Sequence, residues 1–120
     1  MEKKILIVDD CGTTRKLLGF IVKERGHRII GASNGLEALE VIAQNPVDLV
    51  LTDLNMPQMD GLELSRTIRS NDSYSELPII MVTTEASETD RKIGMEAGVT
   101  TYLTKPISPQ RLIFEIEKLL

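Results

Sequence analysis

The chain has few of the residues that build cross-links or soft-metal sites. It carries one cysteine, Cys11, and one histidine, His27, in 120 residues. A single cysteine closes no internal disulfide, which agrees with a reducing compartment. One cysteine and one histidine also exclude zinc sites built from several thiolates and imidazoles. No apolar run approaches the roughly 18 residues of a membrane span. Met1-Glu2-Lys3-Lys4 leads directly into an apolar run, without the long apolar region of a signal peptide. The expectation is a cytoplasmic protein with no membrane contact. No cluster of Lys and Arg stands out and the net charge is -4. That argues against nucleic acid as a partner, because a basic footprint carries most of such affinity. Neither Gly-x-Gly-x-x-Gly nor a P-loop lysine motif occurs. Internal repeats, linkers and low-complexity segments are lacking as well, and 120 residues fit one domain, 1–120.

What remains is an alternation of short apolar runs with amphipathic stretches. Ile5 to Val8 is a first strand. Thr13 or Thr14 caps a helix running to about Arg25, with Leu17, Leu18, Ile21 and Val22 on one face and Gly26 after its end. Arg28 to Ala32 is a weaker second strand. Ser33 or Asn34 caps a helix with Leu36, Leu39, Ile42 and Ala43 inward, and Asn45-Pro46 stops it. Leu49 to Thr52 is the third strand. A helix follows Gly61, with Leu64 and Ile68 on its face, and Ser70 to Ser73 reads as loop. The fourth strand runs from Pro78 through Val82. The fourth helix, about Ser87 to Ala97, has the poorest apolar stripe, mainly Ile93 and Ala97, and Gly98 ends it. Thr101 to Thr104 is the fifth strand. Ser108 caps a last helix facing inward through Leu112, Ile116, Leu119 and Leu120. Five short strands separated by helical crossovers imply an α/β fold, a parallel sheet covered on both faces. Because the chain ends with its last helix, no output domain is expected.

Polar groups stand where the strands stop. Asp9 and Asp10 end the first run, Asp53 follows the third, Thr83 ends the fourth and Lys105 follows the fifth. Parallel sheets place their ligand crevice beyond the carboxyl ends of the strands. Two carboxylates about 4 Å apart repel by roughly 4 kcal/mol at an effective dielectric near 20. Three converging carboxylates therefore call for protonation, separation or a bridging cation, and oxygen-only ligands favour Mg²⁺. One reading is Mg²⁺ held by Asp10 and Asp53, with Asp9 acting through water. The other is that Asp9 and Asp10 merely stop a strand and Asp53 caps a turn. Lys105 favours the first, because an ammonium there can pair with Asp53 or with a phosphoryl oxygen. Thr83 can donate its hydroxyl to the same oxygen. Acid, metal, hydroxyl and ammonium together suit phosphoryl transfer onto a carboxylate, with Asp53 the best nucleophile.

The chain resembles the receiver domains of two-component response regulators, most of all the single-domain chemotaxis type. The residues that carry the likeness are Asp9-Asp10, Thr52-Asp53-Leu54-Asn55-Met56-Pro57 with Met59-Asp60-Gly61, Val82-Thr83, and Tyr102 with Lys105-Pro106. The match spans residues 3 to 120. The resemblance implies a doubly wound, flavodoxin-like sheet in strand order 2-1-3-4-5 with five helices. It implies that Asp53 takes a phosphoryl group from a sensor histidine kinase. Mg²⁺ would lie on Asp10, Asp53 and the Asn55 backbone carbonyl, with Asp9 joining through water. Thr83 and Lys105 would bind phosphoryl oxygens, and Tyr102 would move inward as Thr83 is drawn to the phosphate. A cis Lys105-Pro106 bond is implied. Thr84 to Thr101 has the poorest core signature, so the fourth helix, the Tyr102 strand and the last helix are expected to form the face that passes output, in a monomer, to a downstream protein, by analogy a flagellar motor switch. On this reading the protein is a signalling phosphoacceptor and not an enzyme. Asn55 and Glu85 resemble the chemotaxis regulators at positions flanking the phosphate, which suggests a short-lived phosphoryl state.

The sequence departs from that type at Cys11-Gly12, where a bulky residue and a serine are common; Cys11 reads as a small structural residue, with a redox role as the alternative. His27 reads as a solvated loop histidine, and Met56, Met59, Met81 and Met95 as packing. Other functions stay in view. A haloacid-dehalogenase-type phosphatase would need a second aspartate where Asn55 stands. A nucleotide or flavin binder would meet carboxylates at the first strand end. A phosphorelay intermediate, an excised receiver, or an interaction module that no longer depends on phosphorylation fits the same fold.

Overall fold

The computed structural model describes residues 2–120; Met1, the first residue of the stretch that runs directly into the first strand, lies outside them. Five strands, β1 (Lys4–Val8), β2 (Arg28–Ala32), β3 (Leu49–Thr52), β4 (Ile79–Thr83) and β5 (Thr101–Thr104), alternate with five helices. The helices are α1 (Gly12–Lys23), α2 (Gly35–Gln44), α3 (Gly61–Ser70), α4 (Glu88–Glu96) and α5 (Pro109–Leu119). All strand pairs are parallel and the order is β2-β1-β3-β4-β5. This is the α/β architecture expected from the apolar runs, in the expected order.

The strands of the middle read as continuous apolar runs because both faces are covered. Along β1, Leu6 and Val8 join one core with Val50, Met81, Tyr102, Ile42 and Leu64. Ile5 and Ile7 join the opposite core with Leu51, Val82, Leu103, Leu18 and Leu112. The two-residue period of a strand sends alternate side chains to opposite faces. So α1 and α5 cover one face, and α2 and α3 cover the other. Among the described residues, no helix is long and apolar enough to cross a membrane.

Helix starts follow side-chain chemistry. Asn34, Asp60, Ser87 and Ser108 each accept the amide three residues on, of Glu37, Glu63, Asp90 and Arg111. The start of α1 differs from the expectation. Cys11, not Thr13 or Thr14, takes the N-cap place, with no side-chain cap hydrogen bond. The Asp9 carboxylate instead accepts the Cys11 amide at 2.9 Å, so the helix begins as soon as the acidic pair ends. Its far end is a turn over Glu24 and Arg25 that closes on Gly26, whose φ of 83° suits glycine.

Several inward faces are rotated from the expected ones. Leu17 is 60% exposed, and Leu36 and Leu120 are also exposed. On α2 the buried residues are Gly35, Ala38 and Ile42, while Ala43 faces out. Short helices packed on the sheet bury a narrow stripe, and several apolar residues fall beside it. His27 is not solvated. Its side chain is 8% exposed, both ring nitrogens are buried without a hydrogen-bond partner, and Nε2 stands 3.7 Å from Glu117. The Arg25–Glu117 ion pair, 2.9 Å, closes over it from α5. Met81 is fully buried, and Met56 and Met59 pack against the core, as expected, whereas Met95 is exposed.

Candidate functional site

The carboxyl ends of β1 and β3 bring three acids together. The register pairs Val8 with Thr52, so Asp9 and Asp53 leave the sheet side by side. The Asp53 amide donates to the Val8 carbonyl at 2.9 Å and fixes this juxtaposition. Oxygens of Asp9, Asp10 and Asp53 lie within 4.8 Å of one another. Asp9 is buried, Asp53 is half-buried and Asp10 is exposed. That gradient leaves one side of the cluster open.

Lys105 reaches in from the end of β5. Its Nζ is 3.2 Å from Asp9 Oδ2 and 3.4 Å from Asp53 Oδ2. The Lys105 amide donates to the Thr83 carbonyl at 2.8 Å, and the Lys105-Pro106 bond is cis, as the resemblance implied. Burial pushes the Asp53 carboxyl above its ordinary value. The Leu54 amide, 2.7 Å from Oδ1, and the Lys105 charge oppose that rise, and Asp9 adds to it. Burial would lower the Lys105 ammonium, but the charges of Asp53 and Asp9 and the hydrogen bonds to both outweigh it, and its pKa ends above the ordinary lysine value. One ammonium among three carboxylates leaves the cluster net negative. An oxygen-rich, net negative, partly open site suits a hard divalent cation such as Mg²⁺.

Thr83 is fully buried at the end of β4, and its hydroxyl accepts the Glu85 amide at 3.2 Å. The hydroxyl proton is still available to a further acceptor. Asn55, two residues beyond Asp53, is exposed, and its amide nitrogen donates to Glu85 Oε1 at 3.2 Å. The loop that carries Asn55 turns back tightly. Gly61 donates to the Leu54 carbonyl at 2.8 Å, and a Cβ at position 61 would overlap the Asp53 carbonyl oxygen. Tyr102 is 3% exposed, with its hydroxyl 2.5 Å from the Glu85 carbonyl. The expectation was of an inward movement; the inward position is the one the structure holds.

Sequence reasoning missed the groups that fix these side chains. They are the Cys11 and Leu54 amides and the Arg15 guanidinium, which donates to the Asp9 carbonyl. Backbone amides leave no signal in residue type. Arg15 read as one more charge on α1. Cys11 itself is exposed beside the acids, at the N-cap of α1, and hydrogen bonds from Thr14 lower its thiol below the ordinary value.

The family model for the response regulator receiver domain matches residues 5–117. A chemotaxis protein CheY homolog of Campylobacter jejuni is 39% identical over 119 residues, which cover 98% of this chain and 92% of that one. The transcriptional regulatory protein SrrA of Staphylococcus aureus is 38% identical over 120 residues, all of this chain and 48% of that protein. Among solved structures, chemotaxis response regulator CheY4 of Vibrio cholerae aligns over the whole of both chains, with a TM-score of 0.93 and 32% identity. The receiver domain of a sensor histidine kinase of Pseudomonas aeruginosa aligns over 99% of this chain and 98% of its own, with a TM-score of 0.91 and 26% identity. That structure has a magnesium ion coordinated in its active site cleft.

Proposed function

The chain belongs to the response regulator receiver domain family, and from that premise we propose that Asp53 is its phosphoacceptor and that phosphorylation switches a protein-binding face. The observation that carries this reading is the strand-end cluster itself: Asp53 beside Asp9, both within 3.2–3.4 Å of Lys105. In the transfer, an Asp53 oxygen bonds to the phosphorus of a kinase phosphohistidine. The phosphorus–nitrogen bond breaks and its electron pair stays on the imidazole. Catalysis is then positioning and charge neutralisation. Lys105 offers an ammonium to the incoming oxygens, and Thr83 offers the one hydroxyl proton that its Glu85 contact leaves free.

Asp10, Asp53 and the Asn55 carbonyl would hold Mg²⁺, with Asp9 joining through water. When bound, the ion supplies charge neutralisation to the acids and to the phosphoryl oxygens. The three neighbouring acids support this set. The receiver promotes its own phosphorylation and dephosphorylation and no other turnover. Asn55 and Glu85, hydrogen-bonded to each other beside the acceptor, are placed to orient water, which supports a short-lived phosphoryl state.

Partners follow by family and not by geometry: a sensor histidine kinase upstream and a protein target downstream, in the cytoplasm, with the receiver a monomer. The CheY relatives favour chemotaxis and a flagellar motor target. The SrrA match keeps other outputs open, because such receivers also serve larger regulators. The switching face is assigned to α4, β5 and α5, because Tyr102 ties β5 to the loop behind Thr83.

Intact mass tests the core of this. The protein is mixed with a small phosphodonor, with and without Mg²⁺, beside Asp53→Asn. A base-labile adduct that needs both Mg²⁺ and Asp53 is expected. No adduct under any condition would mean an interaction module that works without phosphate.

A further inference from the structure

Tyr102 is held from three directions, and two of the three holds come from α4. Its hydroxyl donates to the Glu85 carbonyl. The Arg91 guanidinium donates to the Tyr102 carbonyl at 2.8 Å, and its central carbon stands 5.1 Å from the ring centroid. One turn further along α4 is Gly94. A Cβ there would come within 2.8 and 2.9 Å of the ring carbons Cδ2 and Cε2. So α4 presents a slot with a glycine floor and an arginine rim, and the ring fills it.

The strand edge gives Arg91 its purpose. β5 is the last strand of the sheet. The Lys105 amide points back to β4, so two-residue alternation turns the Tyr102 backbone groups to the open edge. Arg91 caps that carbonyl and lies over the same residue's ring, a combination that suits a planar guanidinium and not an ammonium. A surface cleft of about 420 Å³ lined by Arg91, Tyr102 and Arg111 lies alongside, so the ring has an outward place to go.

We propose that Arg91 and Gly94 set the inward position of Tyr102: Gly94 by leaving room for the ring, and Arg91 as a positioning residue that clamps backbone and ring together. One consequence rests on the receiver reading. Coupling between two sites is reciprocal. If phosphorylation of Asp53 draws on the inward ring, releasing the clamp weakens the phosphorylated state by the same factor. The backbone hydrogen bond is common to both ring positions, so loss of the cation–π contact sets the shift of the inward-to-outward ratio, roughly two- to fivefold.

The test uses the full chain with Tyr74→Phe, which leaves Tyr102 as its one tyrosine, labelled as 3-fluorotyrosine. Fluorine NMR with a soluble paramagnetic probe reads ring exposure. The parent resonance is expected to be shielded. Arg91→Ala raises its relaxation by the probe, Arg91→Lys restores part of the shielding, and Gly94→Ala expels the ring. Thermal unfolding is followed on every sample. If folded Arg91→Ala and Gly94→Ala both keep the parent's shielding, the proposal is overturned. Should Gly94→Ala fail to fold, unchanged shielding in Arg91→Ala overturns it alone. The same samples with Mg²⁺ and a small phosphodonor separate the two claims. A parent without an adduct defeats the receiver reading and leaves the clamp to the fluorine result. An exposed ring in Arg91→Ala with an adduct of undiminished rate and extent overturns the coupling.

Discussion

Lys105→Met removes the ammonium that Asp9 and Asp53 share. At 3.2 and 3.4 Å each contact carries roughly 5 kcal/mol of raw attraction at an effective dielectric near 20. Desolvation of the charges offsets most of that. The lysine side chain is 24% exposed, so a net loss of about 2 kcal/mol is expected, in the range for hydrogen bonds to charged groups. For 120 residues that lowers the melting temperature by about 8 °C. Phosphoryl transfer loses a preorganised donor and slows by roughly 10²–10³-fold. The stability deficit also depends on pH, with a definite sign. Burial already holds Asp53 above the ordinary carboxylate value and Lys105 opposes that rise, so the variant's Asp53 lies higher still. A folded state that binds the proton more tightly than the unfolded state loses stability as pH rises through the raised value. The deficit of Lys105→Met is therefore largest at neutral pH and shrinks on acidification through the Asp53 titration. Thermal melts across that range, with quenched mass measurements of the adduct, check both parts. A deficit that does not change with pH, or transfer at the parent rate, would refute the reasoning.

Glu115, buried on α5, is held by Arg111 at 2.8 Å and Lys118 at 3.1 Å. Burial would raise its carboxyl, but the hydrogen bonds from Lys118 and Arg111 win and its pKa lies below the ordinary glutamate value. Its contribution is present above the unfolded-state pKa and is lost as pH falls through the folded one. Glu115→Gln therefore costs about 1 kcal/mol at neutral pH and little in strong acid, as urea unfolding at the two conditions will report. Gly61→Ala, whose methyl overlaps the Asp53 carbonyl, is expected to cost roughly 1–3 kcal/mol in melts and to slow adduct formation by displacing the acceptor. His27→Leu is expected to be neutral or stabilising in melts at neutral pH, since both ring nitrogens are buried without partners and an apolar replacement leaves nothing unpaired. A loss of more than about 2 kcal/mol, the size of a broken buried hydrogen bond, would mean that the 3.7 Å approach to Glu117 is a real bond.

The strands and the strand-end acids were legible because two strong signals coincide, whereas the strand order came only with the family resemblance. Strands buried on both faces are continuous apolar runs, and each run stops at the residue that does chemistry. Caps were legible where a hydroxyl or amide side chain precedes an amphipathic stretch, as at Asn34 and Ser108. Position 11 was misread because the Asp9 carboxylate, not a threonine, organises the helix entrance. His27 was misread because its cover comes from Glu117, far along the chain on α5. Arg91 and Gly94 belong to the stretch with the poorest apolar stripe, and their value appears only when Tyr102 lies between them. Local pattern reports what a residue prefers; it is silent on which distant residue will sit against it.

The most direct measurement locates the phosphoryl group. The protein is phosphorylated with a small donor and Mg²⁺, reduced with borohydride, digested and sequenced by mass spectrometry. Reduction converts an aspartyl phosphate to homoserine. Homoserine at position 53 and at no other acidic residue is the predicted result. Homoserine at Asp9 or Asp10 instead, or a phosphorylated protein that yields none, would contradict the assignment of Asp53 as the acceptor.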